Sequence, residues 1–165
     1  MKLHAGHIEV SVAIYFGVRQ NLIVPNVSWG LDFGHEIDLL KVSQSGYATE
    51  IEIKVSKQDI IRDKSKGKWM GHSYGLGKIK MMYFAVPKSL KDFALEHIPK
   101  ECGLLTVSED NIHTVNQVKA PEVKKNTRKL TDKELLKLAT LGTMRIWSLK
   151  SCLFRKKEST NAKED

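Results

Sequence analysis

Cysteine is scarce in this chain: two in 165 residues, Cys102 and Cys152. Two thiols cannot build a disulfide framework, and they lack the spacing of a metal site. They suit a reducing, cytoplasmic compartment. No apolar run approaches the ~18 residues of a membrane span. The N-terminal stretch MKLHAGHIEVSVAIYF is broken by Glu9 and followed by no A-x-A-like cleavage site, so it reads as mature protein, and no membrane partner is expected. The glycines at 71, 75 and 77 are followed by no Gly-Lys-Ser/Thr, which excludes a Walker loop. His4, His7, His72, His97 and His113 share no zinc spacing. Four prolines and eleven glycines exclude a collagen-like chain. There is no internal repeat.

What remains is an ordinary globular composition, 41% hydrophobic and 28% charged. A chain of this length suits one domain and buries roughly two thirds of its unfolded surface without a covalent staple. The net charge of +8 is unevenly placed. Residues 1–118 hold 14 Lys+Arg against 13 Asp+Glu, whereas residues 119–165 hold 13 against 6. A basic surface attracts polyanions because phosphate contacts release condensed counterions. A merely soluble basic tail has the same composition.

The pattern along the chain predicts ten elements. Ile8, Val12, Tyr15 and Phe16 share a face and predict a helix over 7–18. Leu22 to Trp29 is β-rich, started or interrupted by Pro25. His35–Gln44 and Tyr47–Ser56 alternate around the turn signal Ser45-Gly46 and predict a hairpin. A helix over 57–68 follows, with Ser56 as N-cap. The apolar run Lys80–Val86 suits a strand buried on both faces. Ser89–His97 reads as a helix, and Gly103–Val107 and Ile112–Val118 as strands. Residues 119–130 read as a basic linker or exposed loop. Thr131-Asp-Lys-Glu134 matches a capping box opening a helix over 131–153, and residues 154–165 read as a disordered basic tail. The order predicts an α/β domain over 1–118 with a central mixed sheet flanked by helices, plus an extra C-terminal helix.

One constellation carries chemistry. Glu50, Glu52 and Lys54 alternate with Ile51, Ile53 and Val55, so the two acids and the lysine share a side of the pleat. The turn at Ser45-Gly46 brings Asp38 near Glu52 across the ladder. Gathering carboxylates in one patch is costly unless something positive sits there. Lys54 supplies one charge, and a hard divalent cation such as Mg²⁺ would supply two. Such a metal activates water and polarises a phosphoryl oxygen, and Lys54 could stabilise charge on the phosphate. The alternative is the solvated face of an amphipathic hairpin.

Asp38, a hairpin, then Glu52-Ile53-Lys54, after a helix carrying Glu9, resembles the PD-(D/E)XK nuclease superfamily. The following Asp59, Arg62, Asp63 and Lys64, then Trp69, then Tyr83-Phe84-Ala85-Val86-Pro87, resemble its MmcB-like DNA-repair branch. The resemblance covers about residues 5–118 and implies a restriction-endonuclease-like core of helix, three strands, helix and strand. It implies that Asp38 and Glu52 hold Mg²⁺, with Mn²⁺ as a substitute, together with the Ile53 carbonyl and Glu9. It also implies that Lys54 is the catalytic lysine and sets Gln58 near the place of a further polar site residue in some members; Glu50, by alternation alone, is the other accessory candidate. No proline precedes Asp38, and Val55-Ser56 stands where that branch tends to have two small hydroxyl residues.

The expectation is therefore a Mg²⁺-dependent nuclease hydrolysing DNA, in repair or processing. A non-catalytic nucleic-acid-binding module on the same fold is the alternative. Lys57, Arg62, Lys64, Lys66 and Lys68 are the phosphate-contact candidates. Trp69 and Tyr74 are candidates for base stacking, though Trp69 also suits a core position. His35 reads as a structural hydrogen-bond partner on the face opposite Asp38. The C-terminal helix reads as docked on the core, as a homodimer contact or as a DNA-binding arm.

Overall fold

The hydrophobic alternation closes into one six-stranded mixed sheet. The computed structural model describes residues 2–28, 31–65 and 77–161, without the side chains of 63–65 and 156–161. The elements run α1 (Ala5–Tyr15), β1 (Leu22–Val27), β2 (Ile37–Val42), β3 (Ala48–Ile53), α2 (Lys57–Ser65), β4 (Ile79–Pro87), α3 (Lys91–His97), β5 (Gly103–Val107), β6 (Val115–Lys119) and α4 (Asp132–Asn161). The strands lie side by side in chain order. β1–β2, β2–β3 and β5–β6 are antiparallel; β3–β4 and β4–β5 are parallel, each crossing over through a helix. This is the expected α/β architecture: a mixed sheet flanked by helices, with an extra helix at the C-terminal end.

Local chemistry explains the boundaries. α1 opens two residues earlier than the apolar stripe predicts, where the His4 amide donates to His7 Nδ1 at 3.3 Å. Asp59 N donates to Ser56 Oγ at 3.2 Å, which is the expected cap of α2. The capping box of α4 also forms: Thr131 N donates to Glu134 Oε2 at 2.8 Å, and Glu134 N to Thr131 Oγ1 at 3.3 Å. Pro25 does not interrupt β1. It lies within the strand opposite Leu39, and β1 is a sheet edge, where a missing amide is tolerated. Gly46 takes φ +84 in the hairpin turn, a conformation that disfavours side chains. Gly103 is required by space, since a Cβ there would lie 2.6 Å from the Tyr83 ring.

Each face of the sheet is sealed differently. On one face α1 sets Ile8 and Val12 against Leu39, Ile51, Tyr83, Ala85 and Leu105. On the other, α4 sets Leu138 and Leu141 over Val24, Leu40, Val42 and Ala48. α2 and α3 set Ile60 and Ala94 over Met82, Phe84, Val86 and Leu104. β4 thus feeds both faces, as its continuous apolar run predicts. The second face carries two separate apolar clusters, and alternation from Ala48 puts Glu50 and Glu52 on that face.

Two segments depart from expectation. Residues 119–130 are strapped to the sheet by main-chain bonds: Glu122 N to Glu101 O, Lys124 N to Lys80 O, Arg128 N to Gly77 O and Leu130 N to Gly46 O. A lysine-rich stretch can pack this way because its anchoring bonds use backbone amides, with Lys125, Arg128 and Lys129 exposed. The C-terminal helix runs on to Asn161, past Leu153 and into the expected tail. Among the described residues no helix is long and apolar enough to cross a membrane. Cys102 is buried and Cys152 exposed, both as free thiols.

Candidate functional site

The β2–β3 register runs from Val42↔Ala48 to Leu39↔Ile51, and Asp38 is the next residue of β2 beyond it. Strand parity does not carry through Asp38, because Ile37 packs in the cluster under α4 while Leu39 packs in the cluster under α1; what ties Asp38 to β3 is its own side chain. Asp38 Oδ2 accepts the Ile53 amide at 2.8 Å, which ties the side chain of β2 to the backbone of β3. Lys54 Nζ donates to Glu52 Oε1 at 2.9 Å. Asp38, Glu52, Ile53 and Lys54 are thus brought together by two short contacts where β2 begins and β3 ends.

Burial is the unexpected property of this group. A solvated hairpin face would leave its charges in water. Instead Glu50 is 1% exposed, Glu52 3% and Lys54 8%. Desolvating ionised groups costs several kcal/mol each unless they are paired and hydrogen-bonded. The fold keeps them in the seam of one sheet face, where apolar residues would pack at lower cost. Charge retained against that cost is a mark of functional sites.

Glu9 of α1 reaches the same neighbourhood. Burial, and then the charge of Asp38, push its carboxyl above the ordinary carboxylate value. Glu9 and Asp38 therefore stand near enough to repel, and a cation between them would relieve both. Asp38, Glu52 and the Ile53 carbonyl are hard oxygen donors of the kind Mg²⁺ takes, with Glu9 alongside. The donor set fits the metal that the resemblance implies. Among the described residues no three His, Cys, Asp or Glu side chains form a metal-binding group by themselves. The fit therefore rests on two carboxylates and a main-chain oxygen.

Glu50 is engaged elsewhere. Its Oε1 lies 2.7 Å from His35 Nε2, and His35 Nδ1 lies 3.1 Å from Phe33 O. A carbonyl only accepts, so Nδ1 carries a proton and the His35–Glu50 contact holds a second one. His35 is a hydrogen-bond partner as expected, but not on the face opposite Asp38: its partner is one of the acids. Strand parity fails there because His35 precedes β2, after a loop in which Asp32 and Gly34 take φ +52 and +79. Glu50 Oε2 is buried without a hydrogen bond. Lys124, on the strap, is coupled electrostatically to Glu50. Burial pushes its ammonium down, while Cys102, Glu50 and Glu101 hold it up. Lys124 carries no sequence signal, because only the folded strap brings it to β3.

The basic candidates divide. Lys57, Gln58 and Arg62 are exposed on α2, directly after the site, with Lys57 Nζ 5.1 Å from the centre of the Phe93 ring. Gln58 is thus close in sequence to Lys54 but not part of the buried group. The backbone of Lys64 lies in α2. Its side chain, together with Lys66, Lys68, Trp69, His72 and Tyr74, lies outside the described residues.

Comparison with known proteins adds the fold and nothing finer. No family model matches the chain, and no curated protein matches it. Among solved structures it is similar to a protein of unknown function from Silicibacter pomeroyi, at 21% identity and a TM-score of 0.65, over 91% of this chain and 94% of that one.

Proposed function

We propose that the chain is a Mg²⁺-dependent deoxyribonuclease of the PD-(D/E)XK kind, hydrolysing phosphodiester bonds in DNA during repair or processing. The observation that supports this reading is the buried Glu52–Lys54 pair at the end of the β2–β3 hairpin, Lys54 Nζ lying 2.9 Å from Glu52, beside half-buried Asp38, which accepts the Ile53 amide. Solubility does not require that arrangement, and it burdens stability.

Each residue has a task that follows from its place. Asp38 and Glu52, with the Ile53 carbonyl, would hold the metal, with Glu9 alongside. The Ile53 amide fixes the direction of the Asp38 carboxylate. Lys54, held by Glu52 and shielded from water, presents an ammonium to a phosphate oxygen, where low dielectric strengthens the attraction. A cation held there would activate a water and polarise the phosphoryl group. Lys57 and Arg62 on exposed α2 position the backbone of the nucleic acid without reading its sequence.

The test is cleavage of single- and double-stranded DNA in Mg²⁺, in Mn²⁺ and in EDTA. Asp38→Ala and Lys54→Ala should each abolish metal-dependent cleavage while leaving the circular dichroism spectrum unchanged. Cleavage retained in both variants overturns the mechanism. Salt-sensitive binding that is indifferent to Mg²⁺ and never followed by cleavage would assign a non-catalytic binding module instead.

A further inference from the structure

α4 carries two surfaces without a partner. Its core stripe, Leu138 and Leu141, is buried against the sheet, but beyond Arg145 every described side chain is exposed. Ile146 is 55% exposed, Trp147 62% and Phe154 64%. Spaced at three and four, Leu136, Ala139, Thr143, Ile146, Lys150 and Phe154 form a second stripe along the helix, with Trp147 beside it. Next to the first half of that stripe lies a groove of about 540 Å³ whose apolar lining is Leu22, Val42, Leu135, Leu136 and Ala139. The arm cannot fill the groove of its own chain. α4 is uninterrupted from Asp132 to Asn161, and Leu136 and Phe154 stand about 27 Å apart along it.

We propose that the chain forms a two-fold dimer in which two α4 helices pair antiparallel, each laying its exposed arm into the other's groove. Centred on Thr143, antiparallel pairing sets Trp147 against Ala139 of the second copy and Phe154 against its Asp132. Arg155 then reaches the first turn of the facing helix, where Asp132 is exposed, so the charges agree. Parallel pairing would instead set Lys150 against Lys150 and leave both grooves open. The pairing is isologous and closes on itself. The apolar area of the contact comes from Ile146, Trp147 and Phe154 of each arm, all more than half exposed, set against Leu135, Leu136 and Ala139 of the facing groove. The dimer does not depend on the chemistry assigned to β3.

The full-length protein should sediment at tens of micromolar with twice its 18.7 kDa mass. Trp147→Glu on the arm and Ala139→Arg in the groove should each halve that mass while keeping the circular dichroism spectrum. In a Cys152→Ser background, a Leu136→Cys chain mixed with a tagged Lys150→Cys chain should give a mixed disulfide under mild oxidation. A wild-type protein that stays monomeric overturns the proposal, as does a dimer indifferent to both substitutions. A monomer that pellets with phosphatidylglycerol vesicles overturns it in favour of a lipid surface for the arm.

Discussion

The seam of β3 and the arm of α4 break the solvation rule in opposite directions. Along β3 and the residue that follows it, the charge-bearing Glu50, Glu52 and Lys54 are buried; along α4, Ile146, Trp147, Leu153 and Phe154 are apolar and exposed. Burying charge and wetting apolar surface both work against the stability of the lone chain. The difference lies in what answers each cost. The seam is answered inside the fold, by Lys54 on Glu52 and His35 on Glu50. Nothing within the described chain covers the arm, so its answer must come from outside. A third region shows what a purely structural charge cluster looks like. Glu134 sits at the start of α4, caps the helix, takes Arg128 at 2.7 and 2.8 Å and pairs with Lys78 at 3.1 Å, and these contacts join the helix to the strap and the sheet.

Substitutions should separate the three regions. The largest effect falls on activity: Asp38→Asn should lower Mg²⁺-dependent cleavage by a factor of about 1,000 or more while changing the melting temperature little. Lys54→Ala should also cost about 3 kcal/mol of stability by chemical denaturation, because it takes the ammonium from a buried carboxylate. The double change Glu52→Leu with Lys54→Met should return that stability without returning cleavage. A double variant that stays as unstable as Lys54→Ala would mean that the seam is held by something other than charge pairing.

Glu134→Ala should cost about 2 kcal/mol, through the lost cap and its charged hydrogen bonds, with no effect on cleavage. The Arg128 guanidinium holds the Glu134 carboxyl well below its usual 4.5, helped by Thr131 and Lys78 and opposed by burial. A depressed carboxyl contributes stability in full above pH 4.5 and loses it as pH falls below that value. Unfolding midpoints measured from pH 6 downward should therefore decline more steeply in the wild type than in Glu134→Gln. His35→Gln should cost about 1 kcal/mol in the same assay, by weakening the contact to buried Glu50. Least of all, Leu153→Ser should change the stability of dilute monomer by no more than about 0.5 kcal/mol, since that side chain is 61% exposed.

Much of this was legible in one dimension. The hairpin register followed from strict alternation of Ile51, Ile53 and Val55 with Glu50, Glu52 and Lys54. The capping box and the Ser56 cap could be read because they are local, with both partners within three residues. Helix ends moved by two residues or more where the stop was a matter of contacts rather than pattern, as at Ala5 and Asn161. The strap from Pro121 to Leu130 looked like a linker because its attachment uses backbone amides, which every sequence possesses. His35 was placed on the wrong face because parity does not pass through a loop with positive φ.

The sequence alone determined the order of elements, the mixed sheet and the sharing of one face by Glu50, Glu52 and Lys54. These depend on period and on neighbours in the chain. Only the tertiary structure decided that this face is buried, that His35 and Lys124 attend Glu50, and that half of α4 stands clear of the core. Burial is a property of what packs on top of a strand, and here the covering helices and strap come from positions far along the chain.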